Sequence, residues 1–229
     1  MYTEPDVSKS GVLIESTQTT ECLRDYISGF FSSPVMTKKI IQLAVFTILV
    51  LLIPLALTIR DGNVPNVGWN WSPGDFVFAF VAIFGMGLAY ILVSRLGSSM
   101  QYRAAVALGI VTAFFLLWIN AAVGLIGDGD INILYGFVLL IGFFGGIVTR
   151  FKAERMQWVL FAAAIVQMAI PVIAFILFNA GGFEEWFISS LSAPNPSFSP
   201  GVPQVFMLNA VFASLFTGSG MLFRQAAEK

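Results

Sequence analysis

Polar residues give way to long apolar runs at 40–59, 76–93, 104–126, 133–149, 157–178 and 205–223. About 17 to 25 helical residues cross the ~30 Å hydrocarbon layer of a bilayer, and each run falls in that range. None alternates with the period of a barrel strand, and an isolated strand would leave its amides unpaired in lipid, so each run predicts a transmembrane helix. The expected fold is an all-α membrane protein, a bundle of six transmembrane helices over 39–229 behind a cytoplasmic tail over 1–38.

Charge sets the expected orientation. Of the twelve Lys and Arg residues, all but Arg60 fall on one side of a six-span path: Lys9, Arg24, Lys38, Lys39, Arg95, Arg103, Arg150, Lys152, Arg155, Arg224 and Lys229. The other side carries Asp61, Asp75, Asp128, Asp130, Glu184 and Glu185. Basic segments are held back during insertion, which places both termini in the cytoplasm. Trp69, Trp71, Trp118 and Trp186 lie in or beside the outer connections, at the depth where amphipathic rings settle. Because the first 38 residues are polar and the first apolar run is long, a retained signal anchor is expected rather than a cleaved leader. Residues 20–31 fit either a short interfacial helix or a solvated tail.

Connection lengths predict neighbours. The short turn at 127–132 makes the third and fourth spans antiparallel partners, whereas the Pro-rich stretch 179–204 leaves the sixth free to dock at a distance. Small residues four apart, Gly85 with Ala89, Gly142 with Gly146 and Ser214 with Gly218, give helix faces suited to close packing, within the chain or in a homo-oligomer or membrane partner. Pro54 and Pro171 fall inside spans, where each removes one backbone donor.

Composition then narrows the chemistry. With 57% apolar and only 11% charged residues, the chain belongs in lipid. Histidine is absent and Cys22 is the single cysteine, which removes disulfides, CxxC chemistry and the usual zinc and haem ligands, so no cofactor is expected. No ionisable side chain lies within the core of a span, which disfavours ion-coupled transport. No phosphate loop, nucleophile elbow or basic aromatic surface for nucleic acid is present.

What remains at depth is neutral. Asn120, close to Trp118 near the outer end of its span, together with Gln167 and Asn209, could meet a ligand or line a path, or could simply bond one helix to another. Asp75, Asp128 and Asp130 supply the oxygen ligands a divalent cation would use, although translocated loops also tolerate acids freely.

The segments VGWNWSPGDFVFA, YRAAVALGIVTAFFLLWINAAVGLIGDGDINILYGFV and FRQAA resemble a family of small uncharacterised bacterial inner-membrane proteins. The most specific element is W-x-N-x-A-V-G-x-I-G at Trp118, Asn120, Ala122, Val123, Gly124, Ile126 and Gly127. In the family an acidic turn containing Asn and Pro follows; here it reads Asp128, Gly129, Asp130, Ile131, Asn132, without proline. The resemblance implies a multi-pass protein of a bacterial inner membrane and lends no activity.

The expected function is that of a non-enzymatic membrane component: a helper or assembly subunit, or a binder of lipid or a small apolar molecule. A passive facilitator for a small neutral solute is the alternative, and an outer-face enzyme working through carboxylates is the third.

Overall fold

The computed structural model describes residues 34–61, 70–126, 130–179 and 202–228. Its elements are α1 (Pro34–Arg60), α2 (Pro73–Val93), α3 (Met100–Ala122), a 3-10 turn (Asp130–Leu134), α4 (Tyr135–Val148), α5 (Ala153–Asn179) and α6 (Val202–Ala227), with no strand among the described residues. Six helical segments are long and apolar enough to cross a membrane, counting the 3-10 turn with α4. The expected spans are therefore all present. The tail expected over 20–31, the stretch 180–201, and Asp128 lie outside the described residues.

Packing divides the chain into two units, 1–80 and 81–229, with the division falling inside α2. In the first unit, α1 starts at Pro34, where a missing N–H costs nothing, and so takes in Lys38 and Lys39. Its hydroxyls turn inward to the helix: Thr47 donates to the Leu43 carbonyl at 2.9 Å and Thr58 to the Pro54 carbonyl at 2.8 Å. Those bonds let hydroxyls sit at membrane depth without another polar partner. At its far end Arg60 pairs with Asp61 at 2.8 Å. The α2 helix opens on a reciprocal cap, with Ser72 N–H donating to Asp75 Oδ2 at 2.7 Å and Asp75 N–H to Ser72 Oγ at 3.4 Å.

In the second unit α3 to α6 pack around one core that includes Val106, Leu116, Val138, Leu160, Phe212 and Phe216. Three contacts fix the register. Near the start of α3, the Ala105 carbonyl accepts from Ser219 Oγ near the end of α6 at 2.7 Å. Gly220 of α6 lies against the Phe161 ring of α5, and Gly145 of α4 lies against Val159 of α5. Each pair joins the end of one helix to the start of another, so the neighbours run antiparallel. Ridges of small residues let the backbones approach closely, which in lipid supplies most of the association energy.

The sixth span does not dock at a distance. Despite its long connection, α6 packs directly along both α3 and α5. A long loop permits many placements, and the small residues Gly109, Ser219 and Gly220 make this one close-fitting. By contrast α3 and α4 touch more sparingly, although only a short connection joins them.

The third helix also ends earlier than its apolar run suggests. Val123 caps α3 and Gly124 follows at φ 66°, a left-handed conformation that terminates helices and suits glycine. Leu125 and Ile126 then fold inward and are buried instead of extending the helix.

At the opposite end, the turn from α4 to α5 closes with Phe151 N–H on the Gly146 carbonyl at 2.9 Å and Arg150 N–H on the Ile147 carbonyl at 3.0 Å. That bonding pattern puts a left-handed residue just past the helix, a place usually given to glycine. Here Arg150 occupies it at φ 53° and Phe151 follows at φ 53°. The left-handed conformation costs a side-chain-bearing residue about 1–2 kcal/mol, while glycine loses about 0.5–1 kcal/mol more chain entropy on folding. Arg150→Gly should consequently raise stability by about 0.5–1 kcal/mol. Denaturant unfolding in detergent, followed by tryptophan fluorescence, measures it; a destabilised variant would mean that the guanidinium holds something more valuable than the relief of strain.

Outward-facing positions are large and apolar. Phe143 and Phe144 on α4 are 62% and 56% exposed, and Trp158 at the start of α5 is 68% exposed. Such a surface suits acyl chains with aromatic rings near the headgroups.

Candidate functional site

Glutamine and asparagine each carry a donor and an acceptor, so in a water-free interior they must find partners or pay the desolvation of every unbonded atom. Gln167 on α5 and Asn209 on α6 are fully buried and solve this together. Gln167 Nε2 donates to Asn209 Oδ1 at 2.9 Å, and Asn209 Nδ2 donates to the Val205 carbonyl one turn earlier at 2.8 Å. In lipid such an interhelical bond is worth roughly 0.6 to 2 kcal/mol.

A third group joins them that the sequence did not flag. Tyr135, the first residue of α4, is fully buried. Its hydroxyl faces the Asn209 side chain. Among the described residues it makes no hydrogen bond of acceptable geometry, and neither does Gln167 Oε1. Hydropathy counts tyrosine as apolar, which hid it; the available signal was that a buried tyrosine hydroxyl calls for a partner. Pro171, also fully buried, has no N–H to give to the Gln167 backbone carbonyl four residues earlier. This layer lies about 21 Å along α5 from Ala153, at 1.5 Å per residue.

Asn120 does something different. Its Nδ2 donates to the Asn132 carbonyl at 2.9 Å. Asn132 Oδ1 in turn accepts from the N–H groups of Leu125 and Ile126 at 3.1 and 3.0 Å. The two asparagines thereby brace the connection between α3 and α4 and satisfy amides left over by the early end of α3. Asn120 Oδ1 has no partner among the described residues. Trp118 stacks at a tilt on Phe114, ring centres 5.6 Å apart, on its own helix. Of the four residues expected around a ligand, Gln167 and Asn209 are brought together, while Asn120 and Trp118 have their own local partners.

Of the three carboxylates read as metal ligands, the described structure gives a place to two. Asp75 is engaged in the cap of α2, Asp128 is outside the described residues, and Asp130 opens the 3-10 turn. Among the described residues no group of three or more His, Cys, Asp or Glu could hold a metal ion.

From the amide layer toward the other end of the unit the core turns apolar, through Ala163, Phe212, Leu160, Phe216, Met156 and Phe223. Thr112 and Ser219 are buried there, but each hydroxyl donates to a backbone carbonyl, Thr112 to Leu108 and Ser219 to Ala105, at 2.7 Å in both cases. That end is closed by Tyr102 of α3, whose hydroxyl donates to the Phe151 carbonyl at 2.9 Å and whose ring meets Phe223 of α6 edge-on, centres 5.2 Å apart. Around it stand the exposed Arg103, Arg150, Lys152, Arg155 and Arg224.

The small-residue faces divide likewise. Gly146 packs against the Phe151 ring and Gly218 against Leu108, both inside the chain, whereas nothing described lies within 4 Å of a side chain added at Gly85 or Gly142. Ser214 is exposed and donates to the Ala210 carbonyl of its own helix at 2.7 Å. Comparison with known proteins gives no matching family model, no matching curated relative and no matching solved structure.

Proposed function

We propose that this chain is a non-enzymatic component of a bacterial inner membrane, a helper or assembly subunit that also contacts lipid or small apolar molecules, with both termini in the cytoplasm. The observation that carries the reading is how the buried polar side chains are used. Gln167 and Asn209 bind each other across α5 and α6, Asn120 braces a loop, and Thr112 and Ser219 bond backbone carbonyls. These groups fix helix positions, and toward the basic end an apolar core follows them where a solute pathway would need polar lining. Orientation draws support from the basic cluster of Arg103, Arg150, Lys152, Arg155 and Arg224 at one end of the second unit, which in most membrane proteins is the cytoplasmic end.

The test uses the purified full chain in liposomes. Uptake of small neutral solutes such as glycerol or urea is expected to match protein-free vesicles, while Gln167→Leu lowers stability by about 1–3 kcal/mol through the unpaired Asn209 amide. Solute flux above the protein-free level that disappears in Gln167→Leu would replace this reading with a facilitator. Extraction in mild detergent should bring lipid or a partner protein along, and a stable bare monomer would count against an assembly role.

A further inference from the structure

The amide layer leaves two polar atoms over. Tyr135 Oη and Gln167 Oε1 belong to side chains with 0% exposure, and among the described residues neither makes a hydrogen bond of acceptable geometry. Both flank one side chain, because Gln167 is bonded to Asn209 and the Tyr135 hydroxyl faces it. Helix register agrees: with Gly145 opposite Val159, position 135 of α4 falls level with position 169 of α5, within about 3 Å of Gln167 along the axis.

We propose that the Tyr135, Gln167 and Asn209 layer is a binding site for a single hydroxyl oxygen, carried by water or by an alcohol, held between Tyr135 Oη and Gln167 Oε1. The donor and acceptor inventory selects that class. Gln167 Oε1 only accepts, so the ligand must donate; the phenol O–H has a hydrogen to give, so the ligand must also accept. A carbonyl or ether oxygen fails the first requirement. An ammonium group fails the second and brings a charge into a layer whose members, Tyr135, Gln167 and Asn209, include no carboxylate to neutralise it. A hydroxyl oxygen meets both, as buried waters do when they make several bonds to otherwise unsatisfied groups.

Radiolytic footprinting with mass spectrometry tests this on the full chain in lipid nanodiscs, with water labelled with oxygen-18 as the probe. Confined water next to a buried ring is converted to hydroxyl radical in place, so Tyr135 should be modified with the heavy isotope in spite of its burial. Gln167→Met keeps the chain length and removes the acceptor, and the yield at Tyr135 should fall roughly tenfold, the factor one lost hydrogen bond carries. If Tyr135 stays unmodified while a hydroxyl-bearing lipid or alcohol co-purifies at one per chain and is lost in Gln167→Met, the oxygen comes from that source. Equal modification of the native chain and Gln167→Met overturns the proposal, as does an unmodified Tyr135 with no bound alcohol; the second outcome is read on native protein alone should the variant not fold. The footprint reports occupancy of the layer and the liposome assay reports transport, so this site and the assembly role can fail separately.

Discussion

Replacing Tyr102 by alanine is expected to destabilise the second unit by about 3–5 kcal/mol, the usual cost of truncating a buried aromatic side chain. The ring is 4% exposed and touches three separate elements. It packs over Gly97 before its own helix, meets Phe223 of α6 edge-on, and sends its hydroxyl to the Phe151 carbonyl in the turn between α4 and α5. That turn holds two left-handed residues, so the bond from Tyr102 steadies a place where the backbone is under strain. Tyr102→Phe separates the two contributions, since it keeps the ring and loses only a hydrogen bond worth about 1 kcal/mol. Denaturant titration in detergent of both variants measures the pair. Equal losses from Phe and Ala would mean that the ring is not the anchor described above.

The second large effect is steric. A Cβ at Gly145 would stand 2.5 Å from Val159 Cγ1 and 3.0 Å from its Cγ2, well inside contact distance, and a β-branched side chain has little freedom to move away. Gly145→Ala should therefore cost about 1–3 kcal/mol by forcing α4 away from α5, even though alanine is the better helix former. Combining it with Val159→Ala, which removes both offending methyls, should recover part of the loss, so that the double variant is more stable than the sum of the singles implies. Gly142→Ala, one turn away, meets nothing within 4 Å and is the control: neutral or slightly stabilising. A Gly145→Ala protein as stable as the control would show that α4 and α5 are not held at this distance.

Several features of the fold are carried by short residue patterns. Ser72 and Asp75 carry the spacing of a reciprocal helix cap, yet Asp75 also invites a metal when viewed as one acid among several on the outer side. Gly124 signals the end of α3, but the apolar Leu125 and Ile126 beyond it resemble more membrane span until they are seen folding inward. Asn120 lies near the C-terminal end of its helix. Its partner is the Asn132 carbonyl across a chain reversal, and that pairing exists only once the turn is built.

Composition along the chain was enough to determine how many times it can cross a membrane and where each crossing lies, because transfer of an uncharged run into hydrocarbon depends on local residues alone. It could not determine how each helix is rotated about its axis. In soluble helices a polar face marks which side turns outward, but these spans are apolar all round and carry no such mark. Rotation is decided by close packing, as Gly145 meets Val159 and Gly220 meets Phe161, and that rotation in turn brings Tyr135, Gln167 and Asn209 into one buried layer. The spans follow from solvation of the chain by lipid, whereas the polar layer follows from the fit of one helix against another.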